Sequence, residues 1–132
     1  KTFNILFLNK IRSFRMPTLT IFGIKSCDTM KKAFQWLNGK KVAYTFHDYK
    51  KGNLTKEDIE VWMKDLPIEE IINKKGTTWK KSTDEEKASI SDSNKAIELI
   101  LKNPSIVKRP LVQMGKKHLV GFNPEQWDIF FS

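Results

Sequence analysis

The sequence predicts an α/β domain built on one four-stranded mixed sheet, with helices on its faces and a helical insertion between its two halves. Three observations predict it. Two β-branched, apolar stretches flank an amphipathic helix early in the chain. A run of capped helical segments fills the middle, and a hairpin pattern followed by a helix ends it. The order β-α-β, helices, β-β-α is satisfied by one sheet covered on both faces.

The first strand is Thr18–Phe22 (TLTIF), β-branched and ending at Gly23. Met30, Ala33, Phe34 and Leu37 then recur at i, i+3, i+4 and i+7, the stripe of a helix that stops at Asn38-Gly39. Val42–Tyr49 returns to strand chemistry, which makes a βαβ unit with a parallel pair. Thr55 with Asp58 forms a capping-box start, Ile59, Trp62, Met63 and Leu66 supply one face, and Pro67 opens a short helix ending at Gly76. Ser82 with Glu85 caps another turn. Asp92 or Ser91 caps a helix that buries Ala96, Ile97, Ile100 and Leu101 and stops before Pro104. Leu111–Met114 and His118–Phe122, joined through Gly115-Lys116-Lys117, read as a hairpin. Asn123-Pro124 then caps a terminal helix carrying Trp127, Phe130 and Phe131.

Composition agrees with one domain. The 132 residues are 39% hydrophobic and 30% charged, with six Gly, five Pro, nine Phe and four Trp, and no apolar run reaches the length of a membrane span. Disordered and collagen-like classes are excluded. One cysteine excludes an internal disulfide and a multi-cysteine zinc cluster, and two separated histidines do not complete a structural zinc site, so no metal is expected. A reducing compartment, the cytoplasm, follows as the default.

The net charge is +9, of which residues 1–15 carry four cations and no acid. That basic leader precedes the first Met of the chain, Met16, and reads as an extension outside the fold, leaving 16–132 as a single domain with its helical insertion at about 54–103. The +5 that remains is modest and no helix concentrates it, so nucleic acid ranks last among partners, and no membrane partner is expected.

Cys27 is the residue with chemistry to offer. In GIKSCDTMKKAFQWL it stands where the strand hands over to the helix, off the apolar stripe and among Lys, Ser, Asp and Thr. Unpaired N–H groups and the helix dipole favour an anion there, and Lys25, Lys31 and Lys32 add positive charge. The dipole alone supplies roughly 0.3–1 kcal/mol, so a thiolate needs further cations or hydrogen bonds. Met30 occupies the place of the second cysteine of a C-x-x-C pair, so a resolving thiol has to come from outside, and glutathione is the obvious small one. Arg109-Pro110 marks a strand entrance, with Arg109 either an anion binder or a solvated charge. Lys74, Lys75, Lys80 and Lys81 bracket Gly76-Thr77-Thr78-Trp79, which reads as a solvated loop anchored by its Trp. His47 and Asp48 read as structural, and His118 as isolated.

The segments TLTIFGIKSCDTMKKAFQWL, GTTW, and KRPLV followed by GF, in this order, resemble the arsenate reductase-related (ArsC/Spx) family, and most of all its small YffB-like branch. The resemblance spans Thr18 to Phe131. It implies a thioredoxin-like fold with a helical insertion between the βαβ and ββα halves, a catalytic cysteine at Cys27, a cis-proline at Pro110 facing it, and an oxyanion-binding arginine at Arg109. The family's other two arsenate-contacting arginines fall by spacing on Asn73 and Gly121. Lys75 stands where YffB-like proteins have Arg, keeping the charge without the bidentate fork. The reading is therefore a glutathione-dependent thiol oxidoreductase with no tightly bound cofactor. Cys27 attacks an unknown oxidised substrate, and Lys25, Lys75, Arg109 and Pro110 hold the tripeptide. The alternatives are an arsenate reductase, or an Spx-like regulator that binds RNA polymerase as a protein partner.

Overall fold

The computed structural model describes residues 18–132; the basic leader and Met16 lie outside the described residues. Strand β1 (Leu19–Gly23) is followed by helix α1 (Asp28–Gly39) and strand β2 (Thr45–Asp48). Helices α2 (Lys56–Asp65), α3 (Ile68–Ile71), α4 (Thr77–Lys80), α5 (Asp84–Ser89) and α6 (Ser93–Lys102) come next. Strands β3 (Leu111–Met114) and β4 (Lys117–Val120) and helix α7 (Pro124–Phe130) complete the chain. The sheet order is β2-β1-β3-β4, with β1 parallel to β2 and antiparallel to β3, and β3 antiparallel to β4. This is the thioredoxin-like fold, with α2 to α6 interposed between its halves.

Alternation along the strands builds two core layers. Leu19, Ile21 and Val112 point to one face and pack with Met30, Ala33 and Leu37 of α1 and Trp127 of α7. Phe22 and Leu111 point to the other, against Ile59 and Trp62 of α2 and Ala96, Ile97, Leu99 and Ile100 of α6. Trp62 meets Phe22 edge to face at 5.0 Å, and Trp127 meets Phe122 likewise at 4.9 Å, arrangements that add to the area each ring buries.

Capping follows the sequence with one displacement. Thr55 and Asp58 form the reciprocal capping box, Asp92 accepts from Lys95 N at α6, and Asn123 accepts from Gln126 N at α7. The box expected at Ser82 and Glu85 lies one residue on, at Thr83 and Glu86, while the Ser82 hydroxyl donates to the Thr78 carbonyl. Pro67 is the N-cap of α3 rather than its first residue, and α3 ends at Ile71, not Gly76. In α6 it is Leu99 that is buried; Leu101, expected in the stripe, is 38% exposed. Strand β2 begins at Thr45 rather than Val42, because Lys41 takes a positive φ of 58° as the chain leaves α1 and the next residues are spent on the return.

Candidate active site

Cys27 is the N-cap of α1, in extended conformation, delivered there by the Ile24–Ser26 turn at the end of β1. Met30, fully buried, anchors the first turn: its thioether fills the space above Gly23, where a Cβ would lie 2.6 Å from both Sδ and Cε. The backbone N–H groups of Met30 and Thr29 consequently face the sulfur.

A second segment brings the cation. Asn73 N donates to the Ile106 carbonyl and Lys108 N to the Ile71 carbonyl, closing an antiparallel bridge between Ile72 and Val107. The bridge sets Asn73 beside the Lys108-Arg109 pair. The Arg109-Pro110 peptide is cis, and the Pro110 carbonyl accepts from Gly121 N, which draws the start of α7 to the same place. The result is a cavity of about 240 Å³ lined by Cys27, Thr29, Asn73, Lys108, Arg109, Gly121 and Phe122.

Arg109 is the cation that acts on the thiol. One Nη1–H donates to the Ser105 carbonyl at 3.0 Å, the buried Nε–H has no hydrogen-bond partner among the described residues, and the guanidinium is near enough to Cys27 and Tyr49 for its charge to act on both. Partial burial of Cys27 raises its pKa, but the nearby Met30 N–H, the Arg109 guanidinium and the Thr29 N–H together outweigh that, and the thiol is held below its ordinary value. Tyr49 behaves oppositely. Burial pushes its phenol up to about 12 against the opposing pull of Arg109, so it stays protonated while Cys27 titrates, and it donates to the Val107 carbonyl at 3.1 Å.

The predicted site residues separate. Cys27 and Arg109 share the cavity, and Pro110 follows Arg109 directly. Lys25, expected to lower the thiol pKa, lines a different concavity with His47, Asp48 and Asn53, and Lys75 is exposed, with its N–H donating to Asn73 Oδ1. The residues that sequence reasoning undervalued are Asn73, Gly121, Lys108 and Tyr49. The first two were the matches to the missing arginines, and they do enter the cavity. His47 and Asp48 have structural partners: His47 Nε2 lies 3.0 Å from Asn53 Oδ1, and Asp48 accepts from Lys50 N. Trp79 is partly buried, with Lys74 and Lys87 over its ring. His118 is not isolated. It is buried, Asp65 Oδ2 accepts from both its backbone N–H and Nδ1, and Nε2 lies 3.1 Å from Gln113 Oε1. This network ties β4 to the end of α2.

The sequence model of the ArsC family matches residues 22–130. The chain belongs to the ArsC family. Among solved structures, a YffB protein is 43% identical with a TM-score of 0.80, covering 87% of this chain and 100% of that one. An arsenate reductase (ArsC) related protein from Brucella melitensis is also 43% identical, with a TM-score of 0.68, covering 87% and 95%. The global transcriptional regulator Spx of Streptococcus pyogenes is 31% identical over 117 residues, 86% of this chain and 85% of its own. This ArsC-family protein is thus similar both to arsenate reductase-related proteins and to Spx. Among the described residues no helix is long and apolar enough to cross a membrane, and no three His, Cys, Asp or Glu side chains converge as metal ligands.

Proposed function

We propose that the protein is a glutathione-dependent thiol oxidoreductase working through Cys27. The observation that carries the reading is the juxtaposition of Cys27, at a helix N-terminus, with the guanidinium of Arg109, which favours the nucleophilic thiolate. The thiolate attacks one sulfur of a substrate disulfide, forming a mixed disulfide and releasing the other half as thiolate. Glutathione thiolate then attacks the substrate sulfur of that mixed disulfide, and Cys27 leaves as thiolate, its lowered pKa making it a good leaving group. A second glutathione attacks the glutathione sulfur of the resulting glutathione–substrate disulfide, which releases the substrate thiolate and forms oxidised glutathione. The chain has one cysteine, so the resolving thiol is external, and a cavity lined by Lys108 and Arg109 suits an anionic one.

Turnover of a small disulfide by glutathione, coupled to detection of oxidised glutathione, tests this. Native protein accelerates it and Cys27→Ser protein does not; equal rates for the two would sink the reading. Arsenate reduction is the weaker enzyme reading, because Asn73 and Gly121 bring no charge to the cavity. Similarity to Spx favours a regulatory, protein-binding role as the alternative, and a stoichiometric partner retained equally by Cys27→Ser protein would establish it.

A further inference from the structure

Lys108 is the second cation in the Cys27 cavity, beside Arg109. It runs beside Gly121. A Cβ built there would lie 3.4 Å from Lys108 Cε and 3.9 Å from Nζ, ordinary contact distances that place the lysine's end next to the Gly121 backbone at the cavity. Gly121 is fixed on three counts: φ is +80°, its N–H donates to the Pro110 carbonyl, and its carbonyl accepts from Trp127 Nε1 at 2.9 Å. The Lys108 backbone is fixed too, through its N–H to Ile71. Among the described residues the cavity wall holds two cations and no carboxylate, and neither cation is in an ion pair. At about 240 Å³ the cavity is below the usual range for a whole drug-sized ligand, and it suits one small group beside the sulfur.

We infer that Lys108 selects the charge of the resolving thiol, favouring a thiol that carries a carboxylate over neutral or cationic ones. This inference rests on the proposed thiol chemistry at Cys27. Arg109 is half-buried, donates from Nη1 to the Ser105 carbonyl and acts on the Cys27 sulfur through its charge. Lys108 is exposed at the cavity, a second cation placed to meet the carboxylate of an incoming thiol. The step it serves is the attack of an external thiolate on the outer sulfur of a Cys27 mixed disulfide: a new S–S bond forms between the two small sulfurs, the bond to Cys27 breaks, and Cys27 departs as thiolate, reduced as the incoming sulfur is oxidised.

The test uses Cys27 carrying a mercaptoethanol mixed disulfide, mixed with 3-mercaptopropionate, mercaptoethanol or cysteamine, and follows the recovery of free Cys27 by mass spectrometry. Comparing native with Lys108→Gln protein for each thiol cancels the intrinsic nucleophilicity of that thiol. The variant is expected to slow mercaptopropionate about two- to five-fold, the size of a solvent-exposed charge pair. It should leave mercaptoethanol unchanged and not slow cysteamine. Lys108→Arg should preserve the native order, and Lys117→Gln, at the other end of β4, should not compress it. Equal effects on all three thiols, no effect on any, or the same compression from Lys117→Gln would overturn the assignment of Lys108. Failure of native Cys27 to form the mixed disulfide, or of every thiol to release it, would instead overturn the thiol chemistry itself.

Discussion

The contact between Gly23 and Met30 is where strand packing controls the thiol, and it can be tested by overfilling it. An alanine Cβ at position 23 would approach Met30 Sδ and Cε to 2.6 Å, about 1 Å inside normal carbon contact. Methionine is adaptable, but this one is fully buried among Leu19, Ile21, Ala33 and Leu37 and has little room to turn. Gly23→Ala should therefore destabilise by about 1–3 kcal/mol, the usual cost of overpacking. Met30→Ala alone should cost about 2–5 kcal/mol through the cavity it leaves. In the double variant the new methyl enters vacated space, so equilibrium urea unfolding should show it more stable than the sum of the singles by about 1–3 kcal/mol. Additivity within about 0.5 kcal/mol would refute the claim that these two residues share one space.

Three further predictions concern the supports of the site. Asp65→Ala leaves two N–H groups of the buried His118 without their acceptor and should cost about 1–3 kcal/mol in chemical denaturation; an unchanged midpoint would mean water replaces the carboxylate freely. Thr55→Ala and Thr83→Ala each remove one capping box and should lower stability by about 0.5–2 kcal/mol, whereas Ser82→Ala should cost less than Thr83→Ala, and the reverse order would contradict the observed register. Folding depresses the Cys27 pKa below its ordinary value, so its ionisation stabilises the fold fully above that unfolded value and the benefit is lost as pH falls through the lower folded value. The stability gap between native and Cys27→Ser protein should thus widen with rising pH across that interval, and a flat gap would show that the thiolate is not favoured.

Local order was legible in the sequence wherever a few adjacent residues decide it. The α1 stripe, the Thr55 box and the Asn123-Pro124 start are each written within one or two turns. Ambiguity arose where two neighbouring residues satisfy one rule: Ser82 with Glu85 and Thr83 with Glu86 both fit the capping spacing, and only packing chooses. Leu99 and Leu101 differ by half a turn, and which one is buried depends on the direction from which the sheet meets α6. For the candidate site, Cys27 announced itself because strand, turn and helix N-terminus are contiguous. Local pattern pointed to Lys25, which is near in sequence, and left Arg109 open between anion binder and solvated charge; the family resemblance supplied Arg109, which arrives from the far half through the Ile72–Val107 bridge. The tie between His118 and Asp65 was hidden for the same reason, being a contact between β4 and α2 that no local pattern encodes.

Arg109 and the first turn of α1 favour the thiolate of Cys27, and the pH dependence of Cys27 alkylation by iodoacetamide in native and Arg109→Gln protein measures this. The native protein should show an apparent pKa below the ordinary thiol value and the variant a higher one, with thermal unfolding of both used to confirm that each is folded. An apparent pKa at or above the ordinary value, unmoved by loss of Arg109, would contradict this.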